Sequence, residues 1–123
     1  MYKGMKDIAD SIIHILKPGV RCDYIYSEAS AYADEIGMGT YFMRLGGEAK
    51  KVTFIGHGVG IELNEPPLLG KNSQEVLEEG MIIALELVMS SSVGEVVKLE
   101  DTLLITSDGA EILTITPRDL HQV

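Results

Sequence analysis

Residues Phe54 to Pro67 read FIGHGVGIELNEPP, and the heart of the stretch is Gly56-His57-Gly58-Val59-Gly60. Three glycines around one histidine allow backbone conformations and close chain approaches that side chains would block. The histidine has few apolar neighbours to pack on, so it is not there for apolar packing. Val59, Ile61 and Leu63 then alternate with Gly60, Glu62 and Asn64, a period that predicts a strand. Glu65-Pro66-Pro67 is expected to end that strand, because proline has no N–H for a sheet ladder. Any fold for this chain must therefore place a histidine at the entry to a strand, with a stiff polar exit after it.

Two helical patterns precede the stretch. Met5, Ile8, Ala9, Ile12, Ile13 and Leu16 form one apolar stripe, with Asp7, Asp10, Ser11 and His14 on the opposite face and His14 expected in solvent. Lys17-Pro18-Gly19 stops this helix. Asp23 is the expected N-cap of a second helix, whose stripe is Ile25, Ala29, Tyr32, Ala33 and Ile36 and whose C′ residue is Gly37. Cys22, just ahead of that cap, reads as a small buried residue. Tyr41 to Met43 suggests a short strand, Leu45 to Glu48 a loop, and Lys50 and Lys51 solvated positions.

Strands dominate the remainder. Leu68 to Gly80 reads as loop with one helical turn near Glu75 to Leu77, closing on a turn at Glu78-Glu79-Gly80. Met81 to Leu87 is a near-continuous apolar run, consistent with a strand covered on both faces. Ser90 to Gly94 is a polar turn, Glu95 to Glu100 a further strand, and Thr102 to Thr106 its continuation. Ser107-Asp108-Gly109 then turns the chain, and Glu111 to Ile115 returns antiparallel. Two helices followed by a run of strands define an α+β fold, with the helices packed on one face of a mainly antiparallel sheet.

With 123 residues, the chain is read as a single domain, 1–123. A net charge of −9 argues against nucleic acid and against an anionic membrane surface, both of which want clustered Lys and Arg. No apolar run is long enough for a membrane span, and the N-terminus lacks the character of a secretory signal. The single cysteine permits no internal disulfide, and a cytoplasmic location is expected.

Glu86 is the most informative carboxylate. A charge within a strand of Met, Ile, Ala and Leu costs free energy unless it is paired or bound to a cation. Glu100 lies in the next expected strand, where a hairpin can set the two carboxylates side by side. Two adjacent carboxylates repel, and a divalent cation removes the repulsion. With a nitrogen from His57, one imidazole and two carboxylates suit Mn²⁺, Co²⁺, Fe²⁺ or Zn²⁺. The competing reading pairs Glu86 with Lys98 and leaves Glu100 at a wet edge.

GHGVGIELNEPP, LEEGMIIALEL and VKLEDTLLITSDGAEILT together resemble the C-terminal half of the pita-bread metallopeptidases, family M24. That superfamily includes methionine aminopeptidases, Xaa-Pro aminopeptidases and prolidases, and the match is best to the Xaa-Pro peptidases. ILKPGV, Ile15 to Val20, also fits. The resemblance implies that His57, Glu86 and Glu100 correspond to metal ligands, with Glu86 also acting as general base and Glu100 bridging two metals. It implies hydrolysis of an N-terminal residue, often before proline.

Three departures accompany the resemblance. The half of the catalytic domain that supplies two aspartate ligands is expected to lie ahead of these motifs and to be lacking here, so the divalent metal is expected to be weakly held or absent. Asn64 stands where most such peptidases carry a histidine near the reacting carbonyl; it can donate a hydrogen bond but cannot pass a proton. Lys98 stands where prolidase-like sequences often carry arginine; lysine keeps the charge and loses the bidentate fork.

The reading is thus a portion of an Xaa-Pro dipeptidase-like or aminopeptidase-like enzyme, inactive alone. The alternative is a non-catalytic module that binds a peptide or regulates. A peptide is the expected ligand. A homodimer, or a partner chain supplying the other half, is the expected assembly.

Overall fold

A computed structural model describes residues 1–45 and 51–120. Its elements run α1 (Tyr2–Ile15), α2 (Cys22–Glu35), β1 (Phe54–Gly58), β2 (Glu65–Gly70), β3 (Ile82–Ser90), β4 (Val96–Ile105) and β5 (Ala110–Ile112). The strands form one sheet in the order β2-β1-β3-β4-β5, and every neighbouring pair is antiparallel. The helices lie against it, α1 on β3 and β4 and α2 on β2. Two helices on an antiparallel sheet is the architecture expected from the order of the patterns.

The stripe on α1 becomes core. Met5, Ile8, Ala9, Ile12 and Leu16 are all buried, and each larger side chain contributes about 2 kcal/mol by leaving water. The matching row on the sheet is Ile83, Leu85, Leu87 and Met89 of β3, with Leu99 and Leu103 of β4. In α2, Ile25, Tyr26, Ala29 and Ala33 face the same core.

Asp23 is not the N-cap of α2. Arg21 holds that position and makes no side-chain cap. The first helical N–H groups are satisfied by backbone instead: Cys22 donates to the Glu75 carbonyl and Asp23 to the Ser73 carbonyl, each at 2.9 Å. Asp23 sits in the first turn, where a negative charge suits the helix dipole. Its carboxylate grips the Arg21 guanidinium at 2.5 and 3.1 Å, and this contact lowers its pKa below the ordinary value. The far end of α2 follows expectation. Gly37 has φ +73°, and the Met38 and Gly37 N–H groups close back onto the Ala33 and Asp34 carbonyls.

Capping from outside also explains why Glu75 to Leu77 is not a helical turn. The segment is extended, with Val76 bridged to Arg21 and Leu77 N–H bonded to the Val20 carbonyl at 2.9 Å. Tyr41 to Met43 is likewise no strand. Met43 has φ +54°, and only an isolated bridge joins Phe42 to Met89, while Phe42 and Met43 fill the core. Lys51 is exposed as expected. The expected loop beyond Leu45, and Lys50, lie outside the described residues. The last strand is shorter than expected, ending at Ile112.

Asp10 is paired. The Arg118 guanidinium lies 2.5 Å from it and 3.0 Å from Asp101, which is buried on the helix-facing side of β4 opposite Leu85. The Tyr2 hydroxyl donates to the Arg118 carbonyl at 2.9 Å. The segment after β5 is thus fastened to α1 and to the sheet by charge. Burial pushes the Asp101 carboxyl above its ordinary pKa, and Arg118 opposes that rise.

Two predictions follow from this packing. Arg118→Ala strands a buried carboxylate and is expected to cost about 3 kcal/mol at neutral pH in urea unfolding. The native Asp101 pKa is raised, so the folded state takes up a proton before the unfolded chain does. The loss should therefore shrink as pH falls through the carboxylate range, and a pH-independent loss would contradict the assignment. Cys22 is fully buried, and burial, with Glu75 and Asp23 adding, pushes its thiol to about 11. A thiol reagent at pH 8 is expected to label it only once denaturant unfolds the chain.

Candidate functional site

His57 is the fourth residue of β1, in the sheet rather than at its entrance. The stretch after it is not a strand. Residues Val59 to Asn64 form the connection between β1 and β2, with Ile61 and Leu63 almost wholly in water. Glu65-Pro66-Pro67 begins β2 instead of ending a strand. β2 is the edge strand of the sheet, where proline is tolerated.

The loop owes its shape to Glu65. Its carboxylate accepts the Ile61 N–H at 2.9 Å and the Glu62 N–H at 3.2 Å. A Cβ on Gly60 would run into that carboxylate, and one on Gly58 into the carbonyl oxygens of Pro66 and Glu65. A Cβ on Gly56 would stand 2.5 Å from the Ala84 carbonyl oxygen. The glycines therefore serve the close approach of β2 and β3 to β1.

The β1–β2 register slips on both sides of His57, which is where a ladder irregularity re-aims a side chain. His57 is 7% exposed, and its Nδ1 lies 2.9 Å from the Gly58 carbonyl oxygen. A carbonyl only accepts, so Nδ1 is the donor of this contact and Nε2 is the ring nitrogen left for another partner.

Register places the other two residues. Glu86 of β3 stands directly opposite Glu100 of β4, and His57 directly opposite Ala84. Opposite residues, and residues two apart on one strand, share a face. His57, Glu86 and Glu100 thus lie on one face across β1, β3 and β4. It is the face opposite the row that meets the helices.

Sharing a face is not the same as forming a metal site. Among the described residues, no three His, Cys, Asp or Glu side chains are gathered closely enough to hold a metal ion. The carboxylate pair already has a cation, for Lys98 Nζ lies 2.6 Å from Glu86 and 3.2 Å from Glu100. The Glu86 contact raises Lys98 above its ordinary pKa; partial burial opposes this and Glu100 adds to it. The donor chemistry suits a divalent cation, but the arrangement does not.

Asn64 is exposed at the end of the loop. A groove of about 1080 Å³ lies elsewhere, beside Tyr24, Tyr26, Lys51 and Lys71, and is lined by none of His57, Asn64, Glu86 or Glu100. Glu65 is the side chain whose hold on the loop the sequence does not announce; its position in a Glu-Pro-Pro run reads only as a stop.

The chain matches the metallopeptidase family M24 over residues 1–107, and it belongs to that family. An Xaa-Pro dipeptidase of Pyrococcus furiosus is 33% identical over 120 residues, which cover 98% of this chain and 32% of the relative. The solved prolidase from Pyrococcus furiosus superposes with a TM-score of 0.80 at 33% identity, over 94% of this chain and 32% of that one. An X-Pro aminopeptidase from Thermotoga maritima MSB8 shares the fold, with a TM-score of 0.83 at 24% identity over 97% of this chain and 31% of that one. The chain therefore spans about a third of the length of the relatives it matches, and corresponds to one portion of them. No helix among the described residues is long and apolar enough to cross a membrane.

The glycine geometry gives a direct test. Gly58→Ala is expected to lower stability by about 2 kcal/mol, measured by urea unfolding, because the methyl group must displace backbone rather than a flexible side chain. A change within a few tenths of a kcal/mol would contradict the close approach of β2.

Proposed function

We propose that this chain is the portion of an Xaa-Pro dipeptidase-like or aminopeptidase-like metallopeptidase that supplies His57, Glu86 and Glu100 to its metal centre. The observation that carries this reading is the direct opposition of Glu86 and Glu100 on the sheet face that also bears His57. Membership of a metallopeptidase family supports it. The metal would be Mn²⁺, Co²⁺, Fe²⁺ or Zn²⁺, and the substrate a peptide cleaved after its N-terminal residue, often before proline. Glu86 is assigned the general base. Asn64 would contact the scissile carbonyl by a hydrogen bond without taking part in proton transfer. The remaining ligands come from outside these residues, through further polypeptide, a partner chain or a second copy, and the setting is the cytoplasm.

One observation favours a second reading, a peptide-binding module without catalysis. The Glu86 and Glu100 carboxylates are held by an ammonium rather than left open toward His57.

Calorimetric titration of Mn²⁺ into chelator-stripped protein, beside Glu86→Ala, tests the first reading. Weak binding that Glu86→Ala abolishes is expected, together with no proline release from an Xaa-Pro dipeptide by the chain alone. Mn²⁺ binding indifferent to Glu86 would sink the metal assignment. Binding of the dipeptide unchanged by chelator would move the conclusion to the second reading.

A further inference from the structure

We propose that Lys98 is the resident cation of the Glu86–Glu100 pair, occupying the place between the carboxylates and competing with a divalent ion for it. The competition rests on reading this face as the metal side; the resident-cation assignment does not. One ammonium lies within hydrogen-bond reach of both groups, 2.6 Å from Glu86 and 3.2 Å from Glu100. Topology brings it there. Lys98 precedes Glu100 by two residues on β4 and stands opposite Val88, so it shares their face and is the diagonal neighbour of Glu86.

Without that charge, two carboxylates would face each other in directly opposed positions, which destabilises a ladder. The partition of contacts follows burial. Glu86, at 23% exposure the drier carboxylate, takes the shorter contact; Glu100, at 48%, takes the longer one and shares its charge with water.

An ammonium and a dication cannot both sit between the same carboxylates without strong mutual repulsion. For a metal to engage both glutamates, Lys98 must therefore leave. It is equipped to do so, because its side chain is half exposed and lysine is a point charge on a flexible stem. A guanidinium fork would be harder to displace. In the metal-free chain Lys98 offsets one of the two carboxylate charges; toward a metal it is a built-in competitor.

The test is a double-mutant cycle with Lys98→Met, Glu100→Gln and their combination, followed by thermal unfolding at pH 7 with chelator present. Lys98→Met is expected to lower Tm by about 3 °C. Glu100→Gln should raise Tm in the Lys98→Met background and fail to raise it in the parent. Additive effects would overturn the proposal. Lys98→Arg keeps the charge and should hold the parent Tm; a drop equal to that of Lys98→Met would assign the effect to the methylene stem and also overturn it.

In a second arm, Mn²⁺ titrated into stripped protein is expected to bind Lys98→Met about tenfold more tightly than the parent. Equal affinity in both proteins would contradict the occupancy. If Mn²⁺ binds neither while the thermal coupling is present, the resident-cation assignment stands and the metal reading of His57, Glu86 and Glu100 falls.

Discussion

The register of β3 against β4 is the constraint on which the rest of the structure depends. Nine residue pairs run from Ile82↔Leu104 to Ser90↔Val96. A slip of one residue would turn every side chain of β3 to the other face. Leu85 and Leu87 would leave the helices, and Glu86 would enter the core. The alternation that builds the hydrophobic interior is therefore the same one that sets two carboxylates opposite each other outside it. Neither can be changed without the other.

The two faces of this hairpin solve the problem of charge differently. On the helix side, Asp101 is buried among apolar neighbours and its counter-charge arrives from the far end of the chain, through Arg118. That arrangement depends on the whole tertiary fold. On the opposite side, Lys98 is supplied from two residues away on the same strand, so the neutralisation is local and forms with the hairpin. The first ties the segment after β5 to α1. The second leaves the ammonium half exposed on an open face of the sheet.

Where a sequence period coincided with burial, the fold was legible. The stripe of α1, the second helix ending at Gly37, the Met81 to Leu87 run and the turn at Ser107 to Gly109 all carried signals that packing reinforced. The opposition of Glu86 and Glu100 was within reach for the same reason, since a tight antiparallel return leaves few registers. Legibility failed where alternation arose without cover. Val59, Ile61 and Leu63 have the period of a strand, yet nothing in the sequence says that their apolar side chains point into water. It failed too where distant partners decide. The carbonyls of Ser73 and Glu75 cap α2 in place of Asp23, and Arg118 finds Asp10 across more than a hundred residues. The strand pattern allows Lys98 as the partner of Glu86, but its simultaneous reach to Glu100 depends on side-chain conformations that no sequence period encodes.

The Glu65 carboxylate gives the β1–β2 loop a property that its exposure alone would not suggest. Ile61 and Leu63 stand in water, while the Ile61 and Glu62 N–H groups donate to the Glu65 carboxylate and the strands at the loop's base pack too closely for a side chain at Gly58. The backbone entropy of that loop is surrendered when the chain folds. A body that later seats on Ile61 and Leu63 would meet a surface already in one conformation, so ordering the loop would take little from the free energy of association.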